Sequence, residues 1–351
     1  MFQDDFIFGQ PETQINWPRV EVYLRAHFTW LEDEPMSVKQ FSEGYSNLTY
    51  LIRFGGFEAV LRRPPFGKLP PKAHDMEREY RILEKLSPVF PLAPKPFIYC
   101  NDKSVMDKHF YVMEKKTGVV LDSVIPDEYR VFPNCEKMVS EAVVQTLVDL
   151  HSVDYKEAGL LTFGHPDGYL ERQVHGWIKR YHDSRTHKIH GAEEIEKWLT
   201  DNIPSSADIT IVHNDFKLNN IMLSKNDPRL ATAVFDWELC TIGDPLTDLA
   251  SALAYWTQPE EADIGLTSVT ANPGFYSRRE FLEQYAVKSS RDVSQIQYYL
   301  TFAFYKIGVI LQQIYYRWYT GQSKDERFSH LDTGIKNLMY LSLETKNNRI
   351  L

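Results

Sequence analysis

The spacing of hydrophobic positions changes character twice along the chain. In PRVEVYLRAHFTWL, Val20, Tyr23, Leu24, Phe28 and Leu31 recur at helical intervals behind Pro18, which suits a first helical turn, and this predicts a helix over 18–31. From Met36 to Arg63 the pattern becomes extended, broken by a Ser/Gly/Asn turn at 42–47 and by Gly55-Gly56, which predicts three antiparallel strands. The proline-rich PPFGKLPPK at 64–72 reads as a loop, and HDMEREYRILEKL at 74–86 places Met76, Tyr80, Leu83 and Leu86 on one helical face. Two short strands, PFIYC and HFYVMEK, follow on either side of the turn CNDKS. Beyond Gly118 the pattern is mostly helical: 135–151, a segment near 169–182, 191–202, the DLASALA stretch and a strongly aromatic run at 292–319. Only 204–240 interrupts it, with loops and strands. The fold class expected is α+β in two lobes, 1–116 with an antiparallel sheet and a helix, and 117–351 larger and mostly helical.

Composition narrows the function classes. The chain has 351 residues, 20 of them tyrosine and 20 phenylalanine, so a packed interior rather than disorder is expected. With 39 basic against 48 acidic side chains, a general nucleic-acid or anionic-membrane binder is disfavoured. Residues 251–351 are nearly balanced, at 11 basic and 10 acidic, so the acidic excess lies earlier. Cys100, Cys135 and Cys240 are odd in number and widely spaced, which argues against a disulfide framework and for a reducing compartment. With no signal-like start and no long apolar run, the expectation is a soluble cytoplasmic protein, monomer or homodimer.

The chemistry concentrates in 209–250, where two short apolar runs, ITIV and AVFD, each lead to an acidic residue near a loop. Asp215 and Asn220 are five residues apart, His213 precedes them, and Asp236 follows Asp215 by 21. This spacing is similar to a kinase catalytic loop, 213–220, followed by a metal-binding segment, 236–248. Phosphoryl transfer needs a carboxylate to accept or orient the acceptor's hydroxyl proton, a role that suits Asp215. It also needs hard oxygen ligands that hold Mg²⁺ against a triphosphate, a role that suits Asn220 and Asp236. Any one of these residues alone would be an ordinary turn former.

HNDFKLNN, VFDWE and GDPLTDL together resemble the motif set of the aminoglycoside phosphotransferase-like (choline kinase-like) small-molecule kinases. More narrowly, they resemble the branch of kinase domains fused to acyl-CoA dehydrogenases. EGYSN, AVLRRPP, REYRIL, FYVMEK, DLHSVD and RQVHGW occur in the family's order, so the likeness covers nearly the whole chain. It implies a protein kinase-like fold, ATP and Mg²⁺ as cofactors, and transfer of the γ-phosphoryl group to a hydroxyl of a small-molecule acceptor. By the same resemblance Asp215 and His213 are catalytic-loop residues and Arg62 positions phosphates, where classical kinases carry lysine. Glu79 is favoured over Glu77 as the partner of Arg62. Ser42, Gly44, Ser46 and Asn47 would belong to the phosphate-covering turn, and Met113, Glu114 and Lys116 to the segment facing the adenine. Asn214 stands where the family usually has glycine, and asparagine tolerates the same unusual dihedrals.

Other features have blander readings. His182, His187 and His190 lack the spacing of a zinc site, and His151 reads as a structural histidine. Arg62, Arg63, Lys68 and Lys72 form either a solvated edge or a cradle for anionic groups such as the phosphates of coenzyme A. The charge balance of 251–351 does not suit a polycation, the aromatic and aliphatic residues there suit an apolar acceptor, and the resemblance to the fused-kinase branch implies a hydroxyacyl-CoA or similar metabolite. Aminoglycoside, choline, ethanolamine, sugar or homoserine phosphorylation, and a non-catalytic nucleotide-binding module, are the alternatives. No Ala-Pro-Glu segment points to a protein acceptor.

Overall fold

The computed structural model describes residues 15–41, 47–66, 74–205, 208–259, 261, 263–266 and 269–351. The chain divides into two units, Met1–Lys116 and Thr117–Leu351. Ser42, Gly44, Ser46, Lys68 and Lys72 lie outside the described residues.

The first unit is built on an antiparallel sheet of order β1-β2-β3-β5-β4, from Ser37–Gln40, Leu48–Phe54, Phe57–Arg63, Phe110–Glu114 and Pro96–Cys100 respectively. Helix α1 (Trp17–His27) starts at Asn16, whose side chain accepts the Arg19 N–H at 3.2 Å. It stops at His27, short of the expected 31, because Phe28 leaves helical dihedrals while its N–H caps Leu24. Val20 and Leu24 pack with Ile52, Phe54, Ala59 and Leu61 in one core. Strand alternation puts Arg63 on the same side of β3 as Ala59 and Leu61, and Arg62 on the side of Val60. Helix α2 (Met76–Leu86) buries Glu79, Ile82 and Leu83 together.

In the second unit a 24-residue helix, α8 (Ile296–Tyr319), is buried at Ile296 and from Tyr298 through Val309 and packs against α4 (Tyr169–Ser184), α6 (Pro245–Tyr255) and α9 (Leu331–Lys346). Helix α3 (Cys135–His151) and α7 (Arg278–Ser289) pair with each other, and α5 (Ala192–Asp201) lies against α4 and α8. A three-stranded sheet, β6 (Val119–Val120), β8 (Ile221–Ser224) and β9 (Asp227–Val234), and a two-stranded ladder, β7 (Thr210–Val212) with β10 (Thr241–Gly243), carry the loops of the site. Helix α6 begins at the GDP tripeptide for a simple reason: Asp244 caps the N–H of Leu246 at 2.9 Å and Pro245 occupies the first turn. Its residues Pro245–Ala254 are all buried, as expected of a helix apolar on nearly every side.

Helices α7 and α9 have no counterpart in the periodicity reading. Only Arg278, Phe281 and Tyr285 of α7 are buried, too few to stand out as an apolar stripe, although Ser277 and Glu280 form a capping box that the sequence displays. Among the described residues no helix is long and apolar enough to cross a membrane.

Candidate active site

The turn between β7 and β8 places His213, Asp215 and Asn220 together. The Asn220 amide donates through Nδ2 to the backbone oxygen of Asp215 at 2.9 Å and to its carboxylate at 3.1 Å, leaving Oδ1 as the remaining ligand atom. Lys217 reaches the same carboxylate at 2.9 Å and lies over the Tyr255 ring at 5.2 Å. Burial first, and then the adjacent Asp215 charge, push the Tyr255 hydroxyl well above the usual tyrosine range, so it stays protonated beside that carboxylate. Sequence reasoning passed over Lys217, although its place two residues after Asp215 was visible.

His213 is fully buried and both ring nitrogens are engaged. Nδ1 accepts the Asp215 N–H at 3.3 Å and Nε2 donates to the Phe235 carbonyl at 2.8 Å, which defines the tautomer. The Phe235 N–H in turn donates to the Asn220 carbonyl at 2.9 Å. These bonds tie the loop to the end of β9, where Asp236 sits in the left-handed region with φ 67° and ψ 59°. Trp237, buried behind it, donates from its indole to the Val234 carbonyl at 2.8 Å.

Asn214 also has φ 67°, the conformation for which glycine or asparagine is suited. All of its polar groups are engaged. Its N–H donates to Asp248 at 2.6 Å, its Oδ1 accepts from the Tyr169 hydroxyl at 2.7 Å, its Nδ2 donates to the Leu239 carbonyl at 3.0 Å, and its carbonyl accepts from Lys306 Nζ at 2.9 Å. Gly243 lets the Tyr169 ring approach, since a Cβ there would lie 2.8 Å from ring atoms.

Asp248, in the first turn of α6 and fully buried, receives the N–H groups of both His213 and Asn214 and lies 3.5 Å from His151 Nε2. Burial works against its charge, but the hydrogen bonds from His151 and the His213 backbone prevail and hold its pKa below the usual carboxylate value. Burial depresses the pKa of His151, whose other nitrogen meets the Tyr285 hydroxyl at 2.7 Å. The structure thus gives His151 a bracing place behind Asp248. A cavity of about 470 Å³ lined by His151, Asp154, Lys156, Asp208 and Arg291 includes none of Asp215, Asn220 or Asp236.

In the first unit Arg62 pairs with the buried Glu79 at 3.3 Å, while Glu77 pairs with Arg81 at the surface of the same helix. Arg63 is committed elsewhere, to Asp107 at 3.0 Å and against the Phe66 ring at 4.3 Å, which removes it from the basic cradle considered from sequence. The Asn47 side chain meets His74 at 2.9 Å. Met113 is buried in β5; the Glu114 N–H donates to the Lys95 carbonyl at 2.8 Å, and the Glu114 carboxylate pairs with Lys116 at 2.9 Å. Any base contact in this segment must therefore use backbone groups other than the Glu114 N–H.

A family model described as the phosphotransferase enzyme family matches residues 37–281. The chain belongs to this family. The phosphotransferase is 34% identical over 319 residues to acyl-CoA dehydrogenase family member 11 of Gallus gallus; the match covers 88% of the chain but only 40% of that relative's length. Among solved structures, a candidate aminoglycoside phosphotransferase of Ralstonia eutropha superposes with a TM-score of 0.79 at 28% identity, covering 95% of this chain and 98% of the other. The aminoglycoside phosphotransferase APH(4)-Ia, solved as a ternary complex with ADP and hygromycin B, shares the fold with a TM-score of 0.57 at 17% identity, covering 92% and 98%. The chain therefore has the protein kinase-like, α+β fold of this phosphotransferase family.

Proposed function

We propose that this phosphotransferase moves the γ-phosphoryl group of ATP to the hydroxyl of an apolar small molecule of the hydroxyacyl-CoA type. The observation that carries the reading is the Asp215 carboxylate held between Lys217 and Asn220, with the chain of Asn220 bonded to the segment that presents Asp236. The family match, the ADP-bound neighbour and a relative named for acyl-CoA chemistry support it.

Asp215 orients the acceptor hydroxyl and takes its proton as the oxygen–phosphorus bond forms and the bond to the β-phosphate oxygen breaks, releasing ADP. Lys217, paired with Asp215, offers a positive charge to the transferring group. His213 is a positioning residue, since both of its nitrogens serve the backbone. The side-chain oxygens of Asn220 and Asp236 are hard donors suited to Mg²⁺, which needs few protein ligands and takes the rest from phosphate and water. When bound, the metal neutralises triphosphate charge. Arg62, braced by Glu79, contacts the nucleotide phosphates; Met113 and Lys116 contribute to base contact through their backbone. The phosphate contacts that the resemblance implies for Ser42, Gly44, Ser46 and Asn47 belong to the same proposal.

Mg-ATP turnover over a panel of hydroxyacyl-CoA thioesters, aminoglycosides, choline, sugars and homoserine, read by product mass, tests the proposal, with Asp215→Ala as the blank. A phosphate gain on thioesters that the variant lacks is expected. Near-normal turnover in Asp215→Ala or Asp236→Ala overturns the assignment of roles, and an aminoglycoside product overturns the acceptor class.

A further inference from the structure

Lys306 is out of place on α8. It lies within a run buried from Tyr298 to Val309 and is itself only 8% exposed. Buried ammonium groups are costly unless paired, yet its hydrogen bond goes to a neutral carbonyl, that of Asn214, one residue before Asp215. The face of α4 opposite carries Gln173, Trp177 and Arg180 at helical spacing. Arg180 and Lys306 both lie against the Trp177 ring, at 4.6 and 5.8 Å from its centroid. Neither forms an ion pair with a carboxylate among the described residues.

The neighbouring carboxylates are already occupied. Asp248 holds the N–H groups of the loop and Asp215 is paired with Lys217. Burial works against the charge on Lys306 and lowers its pKa, while Asp215 and Asp248 act in its favour and Arg180 and Lys217 act against it. Beside Lys306 a cavity of about 10 Å³, room for roughly one water, is lined by Gln173, Asn214, Thr247 and Ser251 and also by the apolar Phe302 and Ala303. Lys306 and Arg180 therefore share one indole, with no carboxylate of their own among the described residues, and Lys306 is bonded to the residue preceding Asp215.

We propose that Lys306, Arg180 and Trp177 form an oxyanion subsite that recognises a carboxylate or phosphate carried by the acceptor. The proposal rests on the phosphotransferase reading of Asp215 and narrows it: the acceptor is apolar in its chain and anionic at one end. A planar guanidinium stacked on the indole presents N–H donors edgewise, and the ammonium supplies a second charge from within the fold.

Two measurements test it, the first independent of turnover. Iodide and cesium quenching of Trp177 is isolated as the difference between the chain and Trp177→Phe. Iodide is expected to quench several-fold more strongly than cesium, and Arg180→Gln is expected to abolish the selectivity; equal quenching by the two ions overturns the subsite whether or not the protein is a kinase. In the second, initial rates are compared for one hydroxyoctanoyl chain as the free acid, the CoA thioester, the neutral N-acetylcysteamine thioester and the amide. A free-acid preference assigns a carboxylate and a CoA preference assigns phosphate. In Arg180→Gln, KM for the preferred anion is expected to rise about 10- to 100-fold with kcat nearly unchanged, the range of one charge-assisted hydrogen bond. Lys306→Met should raise the same KM and also lower kcat for every acceptor, since the Asn214 carbonyl loses its donor. Neutral acceptors used as well as the anions overturn the proposal. Charge-selective quenching without turnover on any acceptor supports the subsite and counts against the kinase reading instead.

Discussion

Replacing Asp248 with asparagine removes one charge and little volume, which makes it a direct test of how the catalytic loop is held. The carboxylate receives two adjacent backbone N–H groups, those of His213 and Asn214, and no water reaches it. An amide has one oxygen to offer, so one N–H keeps a weaker, uncharged partner and the other faces an NH₂ group. Losing charge assistance costs about 1 kcal/mol and stranding a buried N–H a further 1–3 kcal/mol, for a total of about 2–4 kcal/mol. In a unit of this size each kcal/mol lowers the midpoint by about 2–4 °C, so calorimetry should show a drop of about 4–16 °C. The stranded N–H precedes Asp215, and a displacement of the order of 1 Å at a reacting group costs about a hundredfold in rate. Turnover measured well below the variant's midpoint should therefore fall at least about tenfold in kcat, with the KM for ATP little changed. An unchanged midpoint would refute the clamp; a lowered midpoint with full kcat would refute its link to the positioning of Asp215.

Three further outcomes follow from the same geometry. Asn214→Gly relaxes φ but deletes the bonds to Tyr169 and Leu239, and denaturant titration should show a net loss of about 1–2 kcal/mol. His151 is held neutral by burial; its folded pKa lies below the unfolded value of about 6.5, so the stability it contributes is present above that pH and is lost as pH falls below it. The midpoint should decline from pH ~7 to pH ~5, and His151→Gln should flatten that limb, leaving the Asp248 limb at still lower pH; a decline unaltered in the variant would assign it to other groups. Glu79→Gln leaves Arg62 facing a neutral amide in a buried site, and a stability loss of about 3 kcal/mol with a raised KM for ATP is expected. Wild-type KM would remove Arg62 from nucleotide binding.

The strands of the first unit and most helices were legible because their apolar periods are long or sharply punctuated: the Gly55-Gly56 turn, the heptad-like spacing of Met76, Leu83 and Leu86, the aromatic run of α8; the short β6 and β10 were not. Helix α9 was missed because Ile335, Leu338 and Met339 are diluted by polar positions, and its burial comes from packing on α8. In the site, Asp215, Asn220 and Asp236 are chemically distinctive at fixed spacing and could be read directly. The bonds made by Asp248, His151, Tyr169 and Lys306 could not be read that way, because their partners lie 34 to 134 residues away and only the fold brings them together. A lysine inside an apolar helical run was nevertheless a visible anomaly, as buried charges occur where something holds them.

Asn214 and Asp236 share a φ of 67°, and each adjoins or supplies a carboxylate of the site. A non-glycine residue in this region costs about 1 kcal/mol or more, and it persists only where the surroundings over-determine it. At Asn214 the surroundings are four hydrogen bonds from four separate segments. At Asp236 they act through its neighbours: Phe235 is bonded through both N–H and carbonyl to the catalytic loop, and Trp237 is locked by its indole. A left-handed residue turns a strand abruptly, so the next side chain leaves the pleat and projects from the end of the sheet. The two turns are bonded to each other through Phe235, so moving one moves the other. The relative placement of Asp215, Asn220 and Asp236 is therefore set by buried bonds of the fold and is in place before a nucleotide or an acceptor arrives.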